Sequence, residues 1–363
     1  MLKRTNITLI FLFGIFFAQG QTSAPKYSNE FLSIGVGARS LAMANSTVTS
    51  VNDVTSAYWN PAGLTLIEND LQLGLMHAEY FAGIAKYDYL GGAARLRDSS
   101  SFAVSIIRFG VDNIPNTLEL IDSDGNIRYD RIKSFSVSDY AFFFSYAKVS
   151  KIPGLRYGAN VKIIHRVAGS FASAWGFGLD IGAQYDYRKW YFGAMARDIT
   201  STFNAWSFQT EELEETFIMT GNEIPENSME ITLPKLILGA ARKFDIYKKF
   251  SGMAEVNTDI TFDGKRNVVI KSDPISVDPH LGVEINYNNI VFFRTGIGNM
   301  QEIPDIDEDG NCVNNFSFQP NIGLGIKIKR LAIDYALTDI GDQSIALYSN
   351  IFSIRYAINR EPQ

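Results

Sequence analysis

The sequence predicts an all-β fold, a 14-stranded antiparallel transmembrane β-barrel with a short N-terminal plug segment. Three observations lead to it: an export signal at the start, apolar and polar side chains that alternate along strand-length segments, and connections that alternate between short and long. The predicted organisation is a signal peptide at 1–20, a plug segment with a short helix at 21–66 and an outer-membrane β-barrel at 67–363.

The export signal is a basic pair, Lys3 and Arg4, followed by an apolar run from Ile7 to Ala18. Small residues then precede Gln21, where we expect cleavage. The other interpretation is an N-terminal membrane anchor. The apolar run is shorter than the roughly twenty residues that a spanning helix needs, which favours the signal peptide.

Composition narrows the class of protein. The chain has 26 Phe, 17 Tyr and 29 Gly with 11 Pro, and its net charge is −6. This acidic balance argues against a nucleic-acid partner, which would require a basic face. Beyond the signal no apolar stretch reaches the roughly eighteen residues typical of a spanning helix, so the chain is either a soluble β protein or a membrane barrel.

Alternation assigns two faces to each predicted strand. One segment places Leu155, Tyr157, Ala159, Val161 and Ile163 on one face and Arg156, Gly158, Asn160 and Lys162 on the other. A second places Trp175, Phe177, Leu179, Ile181, Ala183 and Tyr185 opposite Gly176, Gly178, Asp180, Gly182 and Gln184. These segments are longer than the five or six residues usual in soluble sheets, and aromatic residues lie near their ends, as in a membrane girdle.

The predicted strands number fourteen: 71–80, 85–96, 101–109, 137–149, 155–166, 175–185, 190–198, 233–244, 251–261, 279–287, 290–298, 316–328, 331–339 and 346–357. Every second connection is tight, and most of the others are long, notably 110–136, 199–232, 262–278 and 299–315. Tight turns on one side and long loops on the other are typical of outer-membrane barrels, with the long loops outside the cell.

Two of the long loops are acidic. One holds Glu211, Glu212, Glu214 and Glu215, and the other holds Asp305, Asp307 and Asp309; neither contains Lys or Arg. The simplest interpretation is a solvated loop surface. The alternative is an extracellular docking surface for a basic partner or for divalent cations.

Chemistry-bearing motifs are few. His77, His165 and His280 fall on separate predicted strands, and no nucleophile elbow, phosphate-binding loop or dinucleotide fingerprint is present, so we predict that the protein is not an enzyme and uses no cofactor. The string at 305–310 begins like a calcium-binding loop, but position twelve is Phe316 rather than Glu. Asp-Gly pairs are also common in hairpin turns, the interpretation preferred here.

The plug segment carries two motifs, Gly37-Ala38-Arg39 and Asn60-Pro61-Ala62-Gly63. Fourteen strands enclose a lumen too wide for wall side chains alone to fill, so a plug is a natural use for these residues. The pattern from Gly35 through Ala42-Met43 to Leu64 resembles the N-terminal region of the PorV/PorQ-type outer-membrane proteins, which are related to FadL-type barrels.

The resemblance implies a place in the outer membrane and a role in type IX protein secretion. Its partners would be outer-membrane lipid, a large translocon barrel and secreted cargo with a C-terminal signal domain, bound by extracellular loops and the barrel mouth. The alternative that it leaves open is a FadL-type channel for hydrophobic small molecules. Charged residues on the inward faces, namely Arg156, Lys162, Asp180, Glu284 and Lys327, favour the secretion role.

Overall fold

Antiparallel pairing between strands that follow each other in sequence organises the whole molecule. The computed structural model describes residues 28–96, 99–122, 125–209, 214, 217–218, 223, 227–306, 312–340 and 348–359. The predicted signal peptide therefore lies outside the described residues. Within them no helix is long and apolar enough to cross a membrane.

The strands are β1 (Leu71–Tyr80), β2 (Ala85–Arg95), β3 (Ser100–Asn116), β4 (Lys133–Val149), β5 (Leu155–Ala168), β6 (Ala172–Tyr187), β7 (Trp190–Arg197), β8 (Thr202–Phe208), β9 (Ser228–Thr232), β10 (Lys235–Tyr247), β11 (Phe250–Thr261), β12 (Ile270–Lys271), β13 (Ser276–Tyr287), β14 (Val291–Ile306), β15 (Cys312–Ile328), β16 (Leu331–Thr338) and β17 (Ser349–Ile358). β1 pairs with β2 on one side and with β17 on the other, which closes the sheet.

Three of these strands do not add to the barrel's strand number. β7 and β8 pair with successive parts of β6 and form one interrupted strand. β9 and β10 form another, because β9 pairs with β8 and β10 pairs with β7. β12 is a two-residue strand in the loop before β13. Over the described ranges the sheet is thus a closed barrel of fourteen strands, and the predicted fold class is confirmed.

The two faces of the wall follow the predicted alternation. Arg156, Asn160 and Lys162 on β5 are buried, whereas Tyr157 and Val161 between them are exposed. On β6, Asp180 and Gln184 are buried, and Trp175 and Phe177 are exposed. Lys327 is exposed because it lies at the end of β15, next to a tight turn.

The strands reach farther into the long loops than the sequence predicts. β3 and β4 continue to Asn116 and Lys133, and β14 and β15 continue to Ile306 and Cys312, so the predicted loops 110–136 and 299–315 are largely hairpin. Each extension starts at a register shift, after Val111 in β3 and after Gly298 in β14. At a β-bulge the strand gains extra residues and twist, after which the ladder pairing resumes. The alternation of apolar and polar residues does not reveal where a bulge lies.

Before the barrel, the chain forms short helical turns. α1 (Ala38–Ala42) lies in the stretch where a short helix is predicted, and α2 (Ser56–Trp59) follows it. Two 3-10 turns, Glu30–Leu32 and Pro61–Leu66, flank them. We call residues 28–67 the inner segment.

Candidate functional site

The inner segment lies inside the barrel. Its backbone or side chains bond to strands around the whole sheet: Ala38 N–H donates to Ser353 Oγ on β17, Thr49 N–H donates to Glu255 on β11, and Asn160 on β5 donates to the Ala57 carbonyl. A segment that contacts strands from all sides of a closed sheet can only occupy its interior.

Residues of the first motif fasten the segment to the wall. Gly37 has φ +86°, and its N–H approaches Met76 Sδ at 2.9 Å. Ala38 is fully buried, and Arg39 Nε donates to Glu284 Oε2 at 3.0 Å. Side chains larger than Gly and Ala would collide here or strain the turn, so the small residues let the arginine reach the wall.

Residues of the second motif attach the inner segment to the opposite side of the barrel wall. Asn60 Nδ2 donates to the carbonyls of Val48 and Ala183, each at 3.0 Å, while its Oδ1 accepts from Ala62 N–H. Pro61 packs on glycines of β5 and β6, where an added Cβ would come within 3 Å of it. A Cβ on Gly63 would lie 2.3 Å from the Val51 carbonyl oxygen. The motif therefore holds a backbone-to-backbone contact that larger residues could not make.

A chain of six alternating charges links the segment to four wall strands. Arg39 contacts Glu284, Glu284 accepts from Arg294 at 2.6 Å, and Arg294 donates to Asp334 at 2.7 Å. Arg355 then donates to Asp334 at 2.8 Å and to Asp53. Each buried charge has a partner of opposite sign, which burial in a poorly solvated interior requires.

The pKa values of the two segment residues agree with this pairing. Burial opposes ionisation of Asp53, but Arg355 and Thr55 hold the pKa of its carboxyl below the usual value. Burial likewise opposes the charge on Arg39, and Glu284 nevertheless keeps its pKa above the usual value. Both residues are therefore charged at neutral pH.

Above the inner segment, toward the long-loop end, lies a chamber of about 780 Å³. One side is apolar, with Phe31, Ile34 and Trp59 of the segment and Phe109 of β3. None of the seven motif residues lines it. The two motifs therefore attach the inner segment to the wall and do not form part of the chamber surface.

The other side of the chamber is charged. Lys235 Nζ lies 2.7 Å from Asp259 Oδ2, and Asp278 and His280 stand beside this pair on β13. Asp278 Oδ1 is buried and has no hydrogen-bond partner within the described part of the chain. Sequence reasoning missed this side, because its residues come from three strands and only barrel closure brings them together.

Most of the acidic residues singled out in the two predicted loops lie outside the described ranges. Glu214 is exposed, whereas Glu211, Glu212, Glu215, Asp307 and Asp309 lie outside the described residues, as does the side chain of Asp305. Where the chain is described, no group of three or more His, Cys, Asp or Glu is arranged to hold a metal ion. The absence of a cofactor, with a turn rather than a calcium loop at 305–310, stays a prediction.

The family model described as the type IX secretion system protein PorV matches residues 18–206, which contain the inner segment and the first strands of the barrel. The chain belongs to the PorV family. As a PorV-family β-barrel, it is an outer-membrane protein. No curated protein sequence matches it significantly.

Solved structures that resemble this PorV-family chain are FadL-type barrels. The toluene transporter TodX of Pseudomonas putida superposes with a TM-score of 0.55 at 13% identity, covering 90% of this chain and 99% of TodX. The toluene transporter TbuX of Ralstonia pickettii gives 0.51 at 14%, with 90% and 99% covered. A Pseudomonas aeruginosa FadL homologue gives 0.52 at 12%, with 89% and 98% covered. At such identities the likeness establishes the fold alone.

Proposed function

We propose that this PorV-family barrel is a non-enzymatic component of the type IX secretion system that binds a translocon barrel, C-terminal signal domains of secreted proteins, or both. The observation that carries the proposal is the PorV match over residues 18–206. Cargo is bound at the long-loop end, through the extracellular loops and the chamber mouth.

The filled interior supports a binding role. The inner segment is bonded to wall strands and crosses the lumen beneath the chamber, so a protein chain does not pass through the barrel. The chamber instead offers an apolar side and a charged side to whatever enters from the mouth. A protein segment with both kinds of side chain fits such a surface.

The second candidate is a channel for hydrophobic small molecules. It is favoured by the likeness to toluene transporters and by the apolar side of the chamber. The charged side, with Lys235, Asp259 and Asp278, weighs against it, because an apolar ligand would leave buried polar atoms without partners.

A pull-down from gently solubilised outer membranes tests the proposal, using the tagged full chain and mass spectrometry of the proteins recovered. We expect a large partner barrel or secreted proteins that share a C-terminal domain. Recovery of the barrel alone, with bound hydrocarbon, would overturn the proposal in favour of the channel.

Two variants on β15 test whether cargo is bound in the chamber. Gln319 lines the chamber, and its neighbour Phe318 points outward. Gln319→Trp should obstruct the chamber and lower cargo recovery, whereas Phe318→Trp should leave it unchanged. Equal recovery from both variants would place cargo binding outside the chamber.

A further inference from the structure

On the described part of the wall, a group of charged residues lies on the outer surface where lipid is expected. We call it the outer-wall patch; it comprises His77, Glu79, Lys86, Asp88, Arg108 and Asp112 on β1, β2 and β3. These side chains alternate along their strands with buried residues such as Ala78, Tyr87 and Ile107 and therefore point out of the barrel.

Members of the patch pair with one another. His77 Nδ1 lies 2.7 Å from Asp88 Oδ1, and Arg108 lies 3.7 Å from Asp88 and 3.2 Å from Asp112. Lys86 Nζ lies 3.5 Å from Asp112. The side chains of His77 and Glu79 remain 49% and 53% exposed, so the pairing leaves polar surface for another molecule.

The patch lies at a depth where the rest of the wall is apolar. His77 is six residues from the tight-turn end of β1. The outward residue at the same distance is apolar in ten other spanning strands: Ile106, Val161, Ile181, Ala196, Val256, Leu281, Ile297, Ile322, Leu337 and Phe352.

Six residues of a tilted strand rise about 14 Å, whereas the apolar band of such barrels is about 25 Å tall. His77 and Asp88 thus fall within the band rather than above it. Hydrocarbon offers no hydrogen-bond partners to these groups, so charged side chains on a lipid-facing wall are disfavoured there.

We propose that the outer-wall patch is the face on which the barrel docks another membrane-embedded protein; the inference rests on the proposed function, and the partner is the wall of the translocon barrel. The three carboxylates, Glu79, Asp88 and Asp112, outnumber the two cations, Lys86 and Arg108, so the patch has no excess of positive charge for lipid phosphates. Charged pairs of both signs fit a protein surface with complementary polar groups.

Apolar residues border the patch on both sides. Leu90 lies below it on β2, 52% exposed, and Ile84 lies above it at the β1–β2 turn, 64% exposed. Apolar residues around paired polar groups are typical of a protein interface.

Photo-crosslinking in intact outer membranes tests the docking face. A photoreactive amino acid replaces Leu90 beside the patch or, as matched control, Leu281 on β13, which points outward and is 41% exposed. We expect an adduct with a larger membrane protein from position 90 and lipid adducts alone from position 281. Lipid adducts alone from position 90, or an adduct between two copies of this chain, would overturn the proposed occupant.

The failure of this inference is distinguishable from failure of the proposed function. If the pull-down recovers a partner barrel and position 90 gives no protein adduct, the docking face is wrong and the function stands. If the pull-down recovers neither a partner barrel nor secreted proteins, the function fails as well.

A charge-removal variant provides the second test. His77→Leu, Asp88→Leu and Arg108→Leu together should leave the barrel folded and lower partner recovery about tenfold or more, because the partner's polar groups lose their complements. Thr295→Leu, an outward substitution on β14, should not lower it. Heat-modifiable migration in gels checks folding, and unchanged recovery from a folded triple variant would overturn the proposal.

Discussion

The two halves of the barrel interior use charge differently. Near the tight-turn end, Glu284, Arg294, Asp334 and Arg355 each lie three residues from the end of their strand and join an unbroken alternation with the inner segment. Toward the long-loop end, Lys235, Asp259, Asp278 and His280 line an open chamber instead.

The difference indicates that the lower half attaches the inner segment, whereas the upper half binds a partner. Paired buried charges are costly to break, so the lower half holds the inner segment in one position. Charged side chains that line an open chamber can contact an incoming partner, so the upper half is suited to binding. Removing a charge should therefore lower stability when the residue lies in the lower half, and should weaken binding when it lies in the upper half.

The largest effect is expected at Asp334, between Arg294 and Arg355. Asp334→Asn leaves two buried guanidinium groups facing an uncharged side chain and should lower the free energy of unfolding by about 3–5 kcal/mol. Urea unfolding in lipid vesicles measures it. Asp245→Asn, which loses an exposed pair with Lys189, is the control and should leave stability unchanged. Similar losses from both variants would refute the special role of the lower half.

Asp53 should show the next largest effect, with a defined pH dependence. Asp53→Asn removes a charged contact with Arg355 and should cost about 1.5–3 kcal/mol at neutral pH. Because folding lowers the pKa of Asp53, its stabilisation is complete above the usual value of 3.8 and is lost as pH falls through the lower folded pKa.

An acid titration of unfolding checks this sign. The wild-type barrel should lose stability more steeply than Asp53→Asn below pH 3.8, so that the two curves converge. Parallel curves over that range would show that Asp53 does not titrate with a lowered pKa.

Gly63→Ala tests the packing of the inner segment without changing charge. The added Cβ would meet the Val51 carbonyl at 2.3 Å, and such overpacking should cost about 1–3 kcal/mol. Gly92→Ala is the control, since its Cβ would meet Leu73 at an ordinary 3.5 Å. Protease sensitivity of the segment reports its release, and equal sensitivity in both variants would contradict the contact.

The smallest effect on stability is expected in the chamber. Asp278→Asn removes a carboxylate whose Oδ1 has no hydrogen-bond partner among the described residues. The free energy of unfolding should therefore change by less than about 1 kcal/mol. The amount of cargo recovered in the pull-down should fall even though the stability hardly changes. A loss of stability as large as that of Asp334→Asn would mean that the two halves do not differ.

Much of the wall could be predicted from the sequence. A strand has a two-residue period, so alternation alone assigns Arg156, Lys162 and Asp180 to the interior and Tyr157 and Trp175 to the outside, as the barrel has them. The strand number followed from counting such segments. The width of a fourteen-stranded lumen also indicated that the segment before the barrel would plug it.

The ends of the strands and their interruptions were beyond prediction. The β7–β8 and β9–β10 breaks lie side by side because each strand pairs with the other, a relation between segments far apart in sequence. The outer-wall patch was likewise hidden, since alternation indicates which side chains point outward but not which strands share a depth.

By itself, the sequence determined the faces of the strands, because side-chain alternation is a local property of extended backbone. Only the tertiary structure decided which charges meet: Arg39 reaches Glu284 and Asp53 reaches Arg355 across hundreds of residues. Closing the sheet sets the register, and register decides which side chains on distant strands become neighbours. The chamber and the outer-wall patch both arise at that step.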